Sequence, residues 1–429
     1  MKRKYDPLRR PAWLGAVSLV LGLAAACAED WPTYMHDAQR SGITAESLGT
    51  NLVAAWTFPR VQKPAPAWSD EAKRDYWATP NYPTPLKNRL DFDRVNQVAV
   101  VDGQVFIGSS AEDTVTCLDA VTGEPKWRFF TDGPVRMAPT VTGGRVYAGS
   151  DDGSAYCLEA GTGKLVWKHT PSGANNYLVA NNGRFVSPWA IRSGVVVDGG
   201  TAYCAAGIFP GEGVFVTALN ALTGERQWQL ARTNLGSLQG YALLSATRLY
   251  VPGARSNPHL FARSNGAYQG QYNGNNAFGT FALLAGTNLF MGPAKGPAAS
   301  ITMANDSGGD VMASYANGNA VVVTATNTFL LSDTALTALV RKGGSTLWTK
   351  AVSYPYALIL AGTTLYAGGD QQVAAFDMAK GTLLWKAPVR GRAFGLAVSR
   401  GYLLVSTDQG LLHAFTQPQS GGQSSVVVY

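Results

Sequence analysis

Residues 143–170, GGRVYAGSDDGSAYCLEAGTGKLVWKHT, set short alternating apolar and polar runs between Gly- and Asp-rich breaks. RVYAG, SAYCLEA and LVWKH read as strands, with SDDG and GTGK as the turns that join them. Two further stretches have the same layout: DGQVFIGSSAEDTVTCLDAVTGEPKWRF at 102–129 and GTTLYAGGDQQVAAFDMAKGTLLWKA at 362–387.

The tryptophan closing each phrase measures the repeat. Trp127 and Trp167 are 40 residues apart, and Trp348 and Trp385 are 37 apart. A period near 40 with strand–turn–strand texture predicts a propeller-like array. Trp167 to Trp228 spans 61 residues, one repeat enlarged by TPSGANNYLVANNGRF and FPGEG. Trp228 to Trp348 spans 120, room for three repeats. Two of these lack the marker: ATRLYVPGARSNPHLFARSNGAYQGQY at 246–272 and GTNLFMGPAKGPAASITMANDSGGDVMASY at 286–315.

The last repeat, FGLAVSRGYLLVSTDQGLLHAFTQ, supplies three strands and no tryptophan-bearing fourth. That strand stands at the other end of the chain, in LVAAWTF at 52–58, with Trp56 in the marker position. A ring whose last blade is built from both chain ends leaves no free edge to unzip. The expected fold is therefore all-β: an eight-bladed β-propeller of four-stranded antiparallel blades, closed by an N-terminal strand. Alternate residues of VYAGS and YCLEA are expected to fill the layers between blades. The marker tryptophan covers apolar area there, and its N–H reaches a backbone carbonyl next door. The Gly of TGK and TGE supplies the positive φ of the hairpin turn.

The run G-x-VYxGSxDGxxYCLEAxTGKxxW, as it stands from 144 to 167, resembles the repeat of the pyrroloquinoline-quinone (PQQ) dehydrogenase-like propellers. The resemblance covers about 52–416, and DWPTYMHDAQRSGITAESLGTNLVAAWTF at 30–58 looks like the lead-in of exported bacterial members. In repeat and size the chain is also similar to the non-enzymatic propeller of the outer-membrane assembly machinery. For the enzymes, the resemblance implies PQQ and calcium in the central funnel. It also implies a catalytic Asp, Glu and Asn calcium ligands, and typically a disulfide between adjacent cysteines over the cofactor. This chain has no Cys-Cys pair and no recognisable ligand motif.

The ends bear on localisation. MKRKYDPLRR is basic, WLGAVSLVLGLAAA is apolar, and Ala26-Cys27-Ala28 offers a small-x-small cleavage site. Residues 1–28 are expected to be a signal peptide, 29–51 a lead-in, 52–416 the propeller and 417–429 a tail. Export to the periplasm or outside the cell follows, with a membrane anchor if Cys27 is lipidated. No later stretch is long and apolar enough for a membrane span, so no transmembrane segment is expected in the mature chain. The leader's basic residues outweigh Asp6 by four, so most of the formal +7 charge leaves with it. No dense Lys/Arg stripe remains, which speaks against nucleic acid. Charged residues make up only 15% and Gly numbers 48, a mixture for short strands and tight turns. Cys117 and Cys157 hold equivalent places in successive repeats, and Cys204 lies in the next; small buried side chains are expected.

Candidate chemistry concentrates in the links between repeats. No C-x-x-C-H, zinc spacing, G-x-S-x-G or phosphate loop occurs, and DDG at 151–153 and DSGGD at 306–310 read as turns. The links from one repeat's last strand to the next repeat's first cross one face beside the central channel. Tyr76, Trp77, Arg136, Arg184, Trp189, Arg192, Arg390 and Arg392 fall in them. Arginines and aromatics on one rim form a candidate binding face; taken singly, each arginine is equally explained by a local carboxylate or carbonyl. Two functional readings stand. One is a monomeric, non-catalytic exported propeller, without a cofactor, that binds a protein or small ligand at its loop-rich face. The alternative is a PQQ-dependent oxidoreductase with divergent cofactor ligands.

Overall fold

Every repeat predicted from the tryptophan spacing forms a four-stranded blade, the last two joined through one shared strand. The computed structural model describes residues 28–59, 62–68, 91–272, 279–292, 300–306, 311–341, 344–418 and 427–428. The leader expected over residues 1–28 therefore lies outside the described residues, except for Ala28. Blade 1 starts at Val98–Val101, blade 2 at Thr140–Thr142, blade 3 at Val195–Asp198 and blade 4 at Leu243–Leu244. Blades 5 to 7 start at Phe281–Ala285, Ala320–Val323 and Ala357–Ala361. The 17-residue strand Leu383–Ser399 ends blade 7 and begins blade 8 without a break. Strand Val53–Pro59 pairs antiparallel with Leu411–Thr416 and completes blade 8, placing Trp56 opposite Ala414. The tail does not simply leave: Val427–Val428 pairs parallel with Val53–Pro59 and adds a fifth, outermost strand.

The core lies in flat layers between blades. Tyr147, Cys157 and Trp167 of blade 2 pack with Val195, Ala202 and Leu219 of blade 3 in one such layer. The marker tryptophans do as the sequence suggests. Trp56, Trp127, Trp167 and Trp228 donate Nε1–H to the carbonyls of Ala120, Ala160, Ala221 and Arg263 in the following blade, at 2.8–3.0 Å. Each indole also lies on a turn glycine of that blade. Gly163 has φ +72°, and a Cβ there would sit 2.5 Å from Trp127 Cε3. The residue across from each marker on the third strand is small: Cys117, Cys157, Ala218, Ala338, Ala375 or Ala414. In blades 4 and 5 the equivalent pairs are Gly270 with Leu260 and Ala313 with Met303. Bulk has moved to the other strand, so the layer stays filled. Cys117, Cys157 and Cys204 are free and buried.

Residues 29–46 form a belt inside the ring. Trp31 bridges to Val100 of blade 1, and the Pro32 carbonyl accepts from Val141 of blade 2. The carbonyls of Ala38, Gln39 and Gly42 accept from Leu244, Leu284 and Leu360 of blades 4, 5 and 7. The belt then closes on itself, where the Glu29 amide donates to Glu46 Oε2 at 2.8 Å. Arg40 holds it from within. Its guanidinium donates twice to the Ala242 carbonyl (2.7 and 3.0 Å), and once each to Thr33 Oγ1, the Tyr34 carbonyl and the Asp37 carbonyl. Burial lowers the Arg40 pKa to about 10, so it stays charged at neutral pH.

Candidate functional site

The belt sits at the far end of the inner strands and closes the central channel there. What remains is a cup of about 430 Å³, open on the side where the inner strands begin. Trp31, Tyr34 and Met35 of the belt form its floor; Val98, Phe281, Leu358 and Leu396 of the inner strands line its walls. Arg94, Gln97, Asn319, Tyr356 and Phe394 stand towards the mouth. Phe394 is the centre of that rim. Tyr356 lies 4.4 Å from it, ring to ring, and the guanidinium carbons of Arg94 and Arg392 lie 4.8 and 5.8 Å from its centroid. Gln97 Nε2 donates to its carbonyl at 3.4 Å.

The links carrying the candidate residues occupy this same side. Arg136 and Arg192, from successive links, meet on one carboxylate. Asp151 accepts two bonds from Arg192, both at 2.9 Å, and one from Arg136 Nε at 2.6 Å. Arg136 also reaches Asp93 at 2.8 Å, which belongs to the first link between cup-lining Phe92 and Arg94. All four side chains are buried. Burial alone would raise the Asp151 pKa, but the two guanidinium groups outweigh it and hold the carboxyl below its ordinary range. For Arg136, burial opposes the charge, and Asp151 and Asp93 outweigh it and raise the pKa. Trp68 covers the network, its ring 5.5 Å from the Arg192 guanidinium carbon and its Nε1 2.9 Å from Gln239 Oε1.

Two of the other arginines also pair with turn aspartates. Arg184 pairs with Asp113, and Arg392 Nε with Asp408 at 2.8 Å. Asp113, Asp151 and Asp408 all lie in the turn between a blade's second and third strands. The arginines reach these turns from different links: Arg136 and Arg392 from the link that precedes the blade, Arg192 from the link that follows it, and Arg184 from the link after blade 2 back to blade 1. The turn reading of DDG at 151–153 thus describes its backbone, while Asp151 has a further role the motif did not disclose. Arg390 is exposed, and its backbone N–H donates to His413 Nε2 at 3.2 Å. Trp189 is packed, donating Nε1–H to the Glu212 carbonyl at 3.1 Å with Tyr177 edge-on at 5.4 Å. Tyr76 and Trp77 lie outside the described residues. Asp93, Trp68, Tyr356, Phe394 and the belt residues were not singled out from sequence. The length of the first link and the RGRAFG stretch were the available signals.

Comparison with known proteins bears on this architecture. The profile of the family described as outer membrane protein assembly factor BamB matches residues 65–187, 149–369 and 369–422. The chain belongs to this PQQ-like propeller family. Among curated proteins, the quinohemoprotein alcohol dehydrogenase ADH IIB of Pseudomonas putida is 27% identical over 141 residues, 30% of this chain and 19% of that enzyme. The chain therefore matches only about a fifth of the dehydrogenase's length. The solved quinohemoprotein alcohol dehydrogenase of Comamonas testosteroni superposes with TM-score 0.64 at 13% identity, over 92% of this chain and 82% of that one. BamB of Moraxella catarrhalis superposes with TM-score 0.55 at 17% identity, over 79% of this chain and all of that one (100%). At these identities the structures share the fold alone.

The resemblance to quinone enzymes implies a calcium ion in the funnel, which takes several converging oxygen ligands. Among the described residues no three His, Cys, Asp or Glu side chains converge. Asp93 and Asp151 are held by arginines, Asp91 pairs with Arg94, and Asp333 accepts from Asn319 Nδ2 at 2.8 Å. The described donor set does not fit a hard cation.

Proposed function

We propose that this chain is an exported, non-catalytic propeller of the cell envelope that holds a protein or small ligand at its loop-rich face. One observation carries the reading. The buried carboxylates beside the cup, Asp93 and Asp151, are bound to Arg136 and Arg192, so the ionic groups there build the rim rather than serve a reacting centre. The cup itself offers aromatic surface and a rim of cation–aromatic contacts around Phe394, the composition of a binding anchor. The match to a family described by an assembly factor supports a protein as the occupant. Among the described residues no helix is long and apolar enough to cross a membrane.

The test compares positions and cofactors. A photo-cross-linking residue at Tyr356, on the rim, is expected to capture a discrete partner in the native envelope. The same residue at Phe130, on the outer strand of blade 1, is expected to capture none. Incubation with PQQ and Ca²⁺ is expected to give no dye-linked alcohol oxidation. Cofactor-dependent turnover, or equal cross-linking from both positions, overturns the proposal.

A further inference from the structure

A propeller blade normally ends in an outer strand whose far edge faces solvent. Such edges invite strand addition, and proteins blunt them with charge, polar side chains or cover. Five of the other seven outer strands here carry a basic residue: Lys126, Lys168, Arg226, Lys350 or Lys386. The remaining two, Tyr268–Gln271 and Val311–Ala316, carry Gln269, Gln271 and Ser314. The closing strand Val53–Pro59, VAAWTFP, has no charge, and its one polar side chain, Thr57, is bonded to His413 Nδ1 at 3.1 Å. This is the edge that the chain covers with its own tail, Val427 opposite Trp56 and Val428 opposite Thr57.

We propose that the outer edge of Val53–Pro59 is a strand-acceptor site, and that Val427–Val428 is its intramolecular occupant, replaceable by the same extended apolar segment offered in trans. The topology permits it. Thr416 ends beside Val53, and the tail must cross two strand spacings, about 10 Å. Ten residues, 417–426, reach up to about 33 Å. Because the tail runs parallel to the closing strand, it is joined by a long return connection rather than a tight hairpin. Such an added strand contributes main-chain hydrogen bonds for affinity and alternate side chains for selectivity. The edge lies on the outer rim of blade 8, away from the cup, so this proposal stands independently of the binding role above.

The probe is a fluorescent synthetic peptide of residues 419–429. It is offered to the intact chain, to a chain ending at Pro418, and to full-length Val428→Pro, since proline disfavours a paired strand. Anisotropy is expected to show saturable binding to both variants, at least tenfold tighter than to the intact chain. If either variant dimerises instead, the peptide is expected to dissolve the dimer, since both compete for one edge. Failure of the peptide to bind two folded, monomeric variants, or equal binding to the intact chain, overturns the proposal. Val428→Pro keeps the test valid should the shortened chain fail to fold.

Discussion

At the scale of single residues, the repeated indole–glycine contact carries both the periodicity seen in the sequence and much of the packing between blades. Trp167 is buried, hydrogen-bonded to Ala221, and seated on Gly224. Trp167→Ala is expected to cost about 3–5 kcal/mol, the range for emptying a large aromatic site. Chemical denaturation monitored by fluorescence measures it, and a midpoint unchanged from the parent would contradict the contact. The markers were legible because the same strand–turn–strand phrase ends in tryptophan at intervals of 40 and 37 residues in two parts of the chain. The partners of the arginines were not. Arg136 and Arg192 meet on Asp151 only because the links of neighbouring blades converge, a proximity with no sequence period. An arginine that lies 5% exposed, as Arg136 does, is a strut for the rim, and truncating it leaves buried Asp93 without its arginine and Asp151 with Arg192 alone.

At the scale of elements, the closing blade is held by a histidine as well as by its ladder. His413 lies directly across from Thr57; its Nε2 accepts from the Arg390 N–H and its Nδ1 bonds to Thr57 Oγ1. An Nε2 acceptor requires the neutral ring. Burial, with a smaller effect from Arg390, pushes the His413 pKa from 6.5 down to about 4, and burial does the same to His259 in blade 4. The sign follows from linkage. Above pH 6.5 neither state is protonated and stability is full. Below it the unfolded chain takes up protons that the fold refuses, so stability falls until about pH 4, by about 3 kcal/mol for His413. Urea midpoints at pH 7, 5 and 4 are expected to show this decline. His413→Gln is expected to flatten roughly half of it, leaving the share of His259; an unchanged slope would place His413 outside the effect. The strands themselves were legible from alternation and turn chemistry. The pairing of Val427–Val428 was not, since a short valine run after a Gly/Ser-rich stretch reads as a tail.

At the scale of the whole molecule, the two chain ends serve one ring. Deleting residues 29–58 removes the closing strand and the belt together, and the truncated chain is expected to aggregate with an exposed third strand in blade 8. Light scattering during expression and refolding tests it, and a monodisperse product as heat-stable as the parent would overturn closure. Eight blades and their closure could be counted from the sequence. The belt could not, because YMHDAQRSG lacks strand alternation and only one of its positive-φ positions, Gly42, is a glycine; Met35, His36 and Arg40 have positive φ as well. Its conformation is dictated by carbonyls and amides contributed from around the ring, which is tertiary information.

The belt also meets its partners in chain order. Trp31, Pro32, Ala38, Gln39 and Gly42 bond to Val100, Val141, Leu244, Leu284 and Leu360 in turn. A chain that emerges amino-terminus first therefore carries its axle with it, and each newly made blade finds the next free stretch of that axle already waiting. Threading and synthesis advance together, and the long loops that slow non-local β-topologies are closed one at a time. Only the closing strand must wait, unpaired, until Leu411–Thr416 arrives. The interval between those two events is when the chain is most exposed to wrong partners, and its length is set by the rate of synthesis rather than by the fold.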